Sequence, residues 1–336
     1  MSNYKARQIH LISRPVGMPT HDDFALVEVE LESPDDGEVL VRNRFMSVDP
    51  YMRGRMRAEA SYAAPYQLNT VMYGGAIGEV MESADASLQV GDIVLNGAAW
   101  QDAFVAPAAT VSKLTPFDPG QLSLYLGTLG MPGLTAYVGL LKYGEPKQGE
   151  TVFVSAASGA VGANVCQIAK LKDCRVIGSV GSDTKAQWLL DECGVDAVIN
   201  YKTCGDLNKA LADAAPEGID VYFENVGGDH LQAALNVINP FGRIAACGMI
   251  SSYNNAEPVP GPNNLMLIVG KKIRINGFIV SDHGDKREQF LEDMVGWIQE
   301  GRIKSRETVV EGMDNAVDAF LGLFSGNNFG KMVVKL

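Results

Sequence analysis

The sequence predicts an α/β chain in which a doubly wound, parallel, six-stranded sheet is joined to an all-β domain. Three observations predict it. Residues 1–120 carry short β patterns punctuated by turn residues. From about residue 124, strand and helix patterns alternate. The stretch Thr151-Val-Phe-Val-Ser-Ala-Ala157-Ser-Gly159-Ala-Val-Gly162 reads as an apolar strand, a glycine-rich turn and the start of a helix. A length of 336 residues accommodates two domains.

In chain order, Phe24–Leu31 and Glu38–Arg42 alternate apolar and polar residues, as half-buried strands do. Gly78–Met81 and Gly91–Leu95 are short strands bounded by glycine. Together they predict a partly open barrel. The second region supplies strands at Thr151–Ser155, Arg175–Val180, Ala197–Asn200, Ile219–Glu224, Gly242–Cys247 and Ile273–Val280. Val161, Val165, Ile168 and Ala169 fall at i, i+4, i+7 and i+8, one face of a helix. Strand–helix alternation with right-handed crossovers gives the doubly wound sheet, with a ligand expected beyond the carboxyl ends of its strands. The tail, Gly326–Lys335, returns to a β pattern and is expected to rejoin the first domain. The expected boundaries are 1–123, 124–295 and 296–336.

Bulk properties exclude several classes. Hydrophobic residues make up 46% and charged residues 20%, a globular composition. The net charge is −12, and no run of Lys and Arg exceeds two residues. Nucleic acid and anionic membrane are therefore not expected partners. No apolar stretch approaches the roughly 20 residues of a membrane span, and Met1 to Pro15 lacks a signal-peptide apolar core. Cys166, Cys174, Cys193, Cys204 and Cys247 are scattered, without metal-ligand spacing, and read as reduced thiols of a cytoplasmic protein.

The turn at 157–162 has dinucleotide-binding form, A-x-G-x-x-G, with Ala157 where the first glycine belongs. Gly159 would let backbone approach a pyrophosphate, Gly162 would let helix pack on strand, and helix N-terminal amides would hold phosphate. An acid after the second strand would select NAD through the ribose 2′-hydroxyl. Here that place is Gly181, followed by Ser182, Asp183 and Lys185. A small residue leaves room for a 2′-phosphate, Ser182 can hydrogen-bond it, and Lys185 supplies charge. The expectation is NADPH/NADP+; Asp183 is the feature that could instead accept from a ribose hydroxyl.

Further motifs span nearly the whole chain: Ser47-Val-Asp-Pro-Tyr-Met-Arg53, Met131-Pro-Gly-Leu-Thr-Ala-Tyr137, Asn200-Tyr-Lys202, Tyr222-Phe-Glu-Asn-Val-Gly-Gly228, Cys247-Gly-Met-Ile-Ser-Ser-Tyr-Asn254, Gly277-Phe-Ile-Val280 and Asn327-Asn-Phe-Gly-Lys331. With these the chain resembles the zinc-independent medium-chain dehydrogenase/reductases. Within them it is similar to the leukotriene/prostaglandin and double-bond reductases, most of all the bacterial NADPH-dependent curcumin reductases. The resemblance implies a GroES-like β-barrel domain beside a Rossmann sheet. It implies cofactor contacts at Met131, Thr135, Gly159, Ala160, Val161, Gly181, Ser182, Lys185, Tyr201, Asn225, Cys247, Gly248, Phe278, Val280 and Asn328. It also implies a homodimer, with the strand near Ile273–Val280 as an available edge.

Zinc alcohol dehydrogenases share this architecture but need cysteine and histidine ligands. This chain has no cysteine before Cys166, and His10, His21, His230 and His283 lack ligand spacing to one. No metal is expected. A hydride donor without a Lewis acid suits a conjugated alkene, so the expected substrate is a small-molecule enone or alkenal. Tyr253 follows a strand-end loop and is the candidate donor to the developing oxyanion; water is the alternative proton source. Tyr51, Arg53, Tyr62 and Tyr66 are candidate substrate contacts, with structural roles as the alternative for Tyr51 and Arg53. Asn255–Pro262, with three prolines, is a candidate wall or lid. Cys247 has no flanking base and reads as packing. Quinone reduction and non-enzymatic nucleotide binding are the alternative functions.

Overall fold

The computed structural model describes residues 4–59 and 61–336. They form two compact units. One comprises the described residues up to Leu126 with Glu307–Asn328 and Met332–Leu336; the other comprises Gly127–Arg306 and Phe329–Lys331.

In the second unit six strands form one sheet: β1 Thr151–Val154, β2 Arg175–Val180, β3 Ala197–Asn200, β4 Ile219–Glu224, β5 Ile238–Ala246 and β6 Arg274–Gly277. Their order is β3-β2-β1-β4-β5-β6, and every pairing is parallel. Strand order reverses between β1 and β4, which puts the switch point there. All four residues of β1 are buried, as a central parallel strand covered on both faces requires. Phe153 of β1 stacks on Tyr222 of β4 with ring centroids 5.0 Å apart. The helix Gly162–Leu171 buries Val165, Ile168 and Ala169.

Three strands differ from expectation in length: β1 ends one residue early, at Val154, and β5 and β6 differ by more. β5 starts at Ile238, before the turn in which Phe241 takes φ +65°. β6 stops at Gly277, because Phe278 turns inward to stack on Tyr143 at 5.0 Å.

The first unit is built of antiparallel sheets. Tyr4–Leu11 pairs with Phe24–Leu31 and with Thr70–Val71. Glu38–Ser47 is the centre of a seven-stranded sheet, pairing with Ala76–Ser83 and Ala103–Pro107. The C-terminal strand also joins it, with Val333 opposite Ser47. The core gathers Met46, Met52, Met56, Trp100 and Phe320. Phe320, on the helix Ala316–Ser325, meets Trp100 edge-on at 6.0 Å. Among the described residues, no single helix is long and apolar enough to cross a membrane.

Candidate active site

The phosphate turn follows β1. Ala156 sits at φ +48°, a left-handed conformation that costs an alanine roughly 1–2 kcal/mol. The Gly159 amide donates to the Ala156 carbonyl at 2.9 Å and closes the turn. A Cβ on Gly162 would lie 2.3 Å from the Ala156 oxygen and 2.8 Å from the Ala157 Cα, so only glycine fits. Ala157 stands in the first glycine position because its methyl is accommodated opposite: a Cβ on Gly178 would meet it at 2.9 Å. The sequence moves the missing glycine to β2. The helix Gly162–Leu171 has no side-chain cap; in its first turn the Ala163 amide donates to the Gly159 carbonyl at 3.0 Å. Gly330 donates to the Ser158 carbonyl at 2.9 Å and braces the turn from the C-terminal segment; Asn328, two residues earlier, is half-buried.

A second group forms where β2 and β3 end. Ser182 caps the helix Asp183–Glu192, its hydroxyl accepting from the Lys185 amide at 3.4 Å. A Cβ on Gly181 would stand 2.9 Å from the Tyr201 hydroxyl and 3.2 Å from Lys202 Cε. Gly181, Ser182, Lys185 and Tyr201 are thus brought together. Burial, and then the neighbouring Lys202, pull the Lys185 ammonium below its usual range. Asp183 accepts from Asn200 Nδ2 at 2.7 Å through one of its carboxylate oxygens. The Tyr201 ring rests edge-on against His230 at 5.2 Å. The His230 ring lies 2.8 Å from the Ser179 hydroxyl, and burial lowers it to about 4, so the imidazole is neutral. Phenol, hydroxyl and two ammonium groups make a fitting cradle for a phosphate monoester.

The third group lies at the switch point. Buried Glu224 accepts through one oxygen from the Tyr222 hydroxyl at 2.7 Å and the Val226 and Gly227 amides at 2.6 and 2.8 Å. Burial holds this carboxyl above its usual range. Asn225 clamps β4 to β1, its amide donating to the Ser155 hydroxyl at 2.9 Å and its Nδ2 to the Ser155 carbonyl at 2.8 Å. The Cys247 and Gly248 amides donate to the Glu224 carbonyl at 2.9 and 3.0 Å. A Cβ on Gly248 would stand 2.9 Å from the Tyr253 hydroxyl, so that phenol lies over the glycine just after β5. Burial and Glu224 push the Cys247 thiol up to about 12, which keeps it protonated. The Phe278 ring points into the core, between Tyr143 and Phe223, and leaves its backbone and the half-buried Val280 for the site. On the helix Met131–Val138, Met131 is exposed and the buried Thr135 donates its hydroxyl to the Met131 carbonyl at 2.8 Å.

In the first unit, two expected substrate contacts turn out to have structural duties. Arg53 is 2% exposed, and its guanidinium donates to the carbonyls of Pro15 and Gly17 at 3.1 and 2.8 Å. Tyr66 is 2% exposed; its hydroxyl donates to the Tyr73 carbonyl at 2.6 Å and its ring lies under Arg55 at 4.4 Å. Tyr62 is 63% exposed. Residue 60 of that loop lies outside the described residues. Tyr51 opens the helix Tyr51–Arg55, half-buried, its phenol raised by burial and Asp49.

The four histidines hold other partners: His10 faces Gln8, His21 faces Asp318, His230 faces Ser179, and His283 lies between Lys142 and Tyr143. Sequence reasoning passed over Lys202, His230 and Gly178. The register Val180–Asn200 would have revealed Lys202, since it sets the residues after β3 beside those after β2.

Family models match the chain twice, as an N-terminal domain of oxidoreductase over residues 7–114 and as a zinc-binding dehydrogenase over 160–300. The chain is 46% identical over 333 residues to a putative NADP-dependent oxidoreductase of Bacillus subtilis, covering 98% of this chain and 97% of that one. It is 44% identical over 331 residues to the NADPH-dependent curcumin reductase of Escherichia coli, covering 97% and 95%. The crystal structure of CurA in complex with NADPH from Vibrio vulnificus superposes with a TM-score of 0.93, at 44% identity and 98% coverage of both chains.

Proposed function

The chain belongs to the medium-chain dehydrogenase/reductase family, and from that premise we propose that it is an NADPH-dependent reductase of the carbon–carbon double bond of α,β-unsaturated ketones and aldehydes. The observation that carries this reading is the Tyr253 phenol over Gly248 at the switch-point end of the sheet that also bears the phosphate turn. NADPH, when bound, supplies a hydride for the β-carbon of the substrate.

The chain's own residues supply the rest. Gly159, Ala160 and Val161 hold the pyrophosphate at the uncapped helix end. Ser182, Lys185 and Tyr201 hold the 2′-phosphate. Asn225, Gly248, Cys247, Phe278 and Val280 line the nicotinamide side, Met131 and Thr135 flank it, and Asn328 reaches the phosphates. As the alkene electron pair moves toward the carbonyl oxygen, Tyr253 donates a hydrogen bond to that oxygen. A phenol hydroxyl carries one O–H donor that such an oxygen can accept. Protonation of the α-carbon, by Tyr253 or water, completes a saturated carbonyl product. Tyr51 and Tyr62 provide aromatic surface for the substrate.

The protein acts as a homodimer in the cytoplasm. Support for the dimer comes from the edge position of β6 and the adjacent helix Met266–Lys271, where Met266 is 80% and Val269 is 74% exposed. Support for the compartment comes from five free cysteines. The test is NADPH consumption with a conjugated enone, with NADH and a simple quinone as controls. Strong preference for NADPH and turnover of the enone are expected; consumption with the quinone alone would overturn the reading.

A further inference from the structure

We propose that Lys202 is a second phosphate-binding cation, forming with Lys185 a two-lysine clamp that sets the preference for a 2′-phosphorylated cofactor. The inference rests on the NADPH reading above and goes beyond it by naming a residue that the glycine-turn and second-strand signals do not reach.

The sheet itself creates the clamp. β2 and β3 run parallel with Val180 opposite Asn200, so Tyr201 and Lys202 emerge beside Gly181 and Ser182. The Tyr201 hydroxyl and Lys202 Cε stand 2.9 and 3.2 Å from the place where a Gly181 Cβ would be. They occupy the space from which an NAD-selecting acid would have to reach the ribose. The Lys202 backbone is fixed by its amide, which donates to Asn200 Oδ1 at 3.2 Å. The same asparagine donates through Nδ2 to Asp183 at 2.7 Å. Among the described residues Lys202 has no ion pair. After burial, the like charge of Lys202 disfavours the charged form of Lys185. Such an arrangement is unfavourable alone and favourable around a dianion. A phosphate monoester carries about −1.5 to −2 at pH 7, more than one lysine neutralises.

The test is calorimetric titration of the apoprotein with NADPH, NADH and 2′,5′-ADP. Wild type is compared with Lys202→Gln, Lys202→Arg, Lys185→Gln and the double Gln variant. Lys202→Gln should weaken NADPH and 2′,5′-ADP about tenfold, as losing one charge-assisted contact does. NADH affinity should stay within twofold, and Lys202→Arg should recover most of the loss. The loss should shrink at high salt. A Lys202→Gln protein that binds NADPH within twofold of wild type, or that loses NADH equally, overturns the proposal. Wild-type protein that binds NADH as tightly as NADPH and ignores 2′,5′-ADP would instead overturn the cofactor reading itself.

Discussion

Replacing Gly162 by alanine tests the phosphate turn with the smallest possible perturbation. The added methyl would lie 2.3 Å from the Ala156 oxygen and 2.8 Å from the Ala157 Cα. Both obstacles are backbone, so no side-chain rotation relieves them. Helix propensity favours the change by at most about 1 kcal/mol. Forced overpacking costs about 1–3 kcal/mol and displaces the turn. The clash wins, and the variant should lose about 1–2 kcal/mol. Gly296, within the helix Arg287–Gln299, is the matched control, because nothing lies within 4 Å of its missing Cβ. There the same substitution should add about 0.5–1 kcal/mol. Urea unfolding of both variants measures the two signs, and NADPH titration should show at least tenfold weakening for Gly162→Ala only. A stabilised Gly162→Ala protein with wild-type NADPH affinity would refute the reasoning.

Three other outcomes follow from the geometry. Tyr253→Phe should lower kcat about 100-fold while leaving NADPH affinity unchanged, as loss of an oxyanion donor does; an unchanged kcat would assign the proton and the hydrogen bond to water. Tyr66→Phe should cost about 1–2 kcal/mol in urea unfolding, since it strands the Tyr73 carbonyl, with enone KM unaffected. Neutral His230 sets a pH dependence. Its imidazole falls from the usual 6.5 to about 4 in the folded state, so the unfolded chain binds more protons between those values. Its contribution, roughly 3 kcal/mol, is fully present above pH 6.5 and lost as pH falls toward 4. His230→Gln should flatten that part of the stability profile.

The sheet was legible because its strands are apolar runs interrupted by glycine and polar turns. β2, β3 and β4 begin and end where the patterns place them. β6 was read too long because Phe278 is apolar in either setting, and only tertiary packing against Tyr143 turns it out of the strand. The cofactor cluster around Gly181 was partly legible. Ser182 and Lys185 are close in sequence, whereas His230 and Lys202 reach the same place through strand register and helix packing. Tyr66 and Arg53 were open in the sequence for a related reason. A tyrosine or arginine on an apparent loop looks available, yet each finds backbone carbonyls that bury it. Ala157 shows the converse. Its departure from glycine is compensated by Gly178, twenty-one positions on, which only the paired strands reveal.

The most direct test of the account is the fate of the hydride. The protein would be incubated with a conjugated enone and NADPH deuterated at the transferring carbon, and the product analysed by mass and NMR. The account predicts a saturated ketone carrying one deuterium at the β-carbon and solvent hydrogen at the α-carbon. Deuterium on the carbonyl carbon of an allylic alcohol would contradict it.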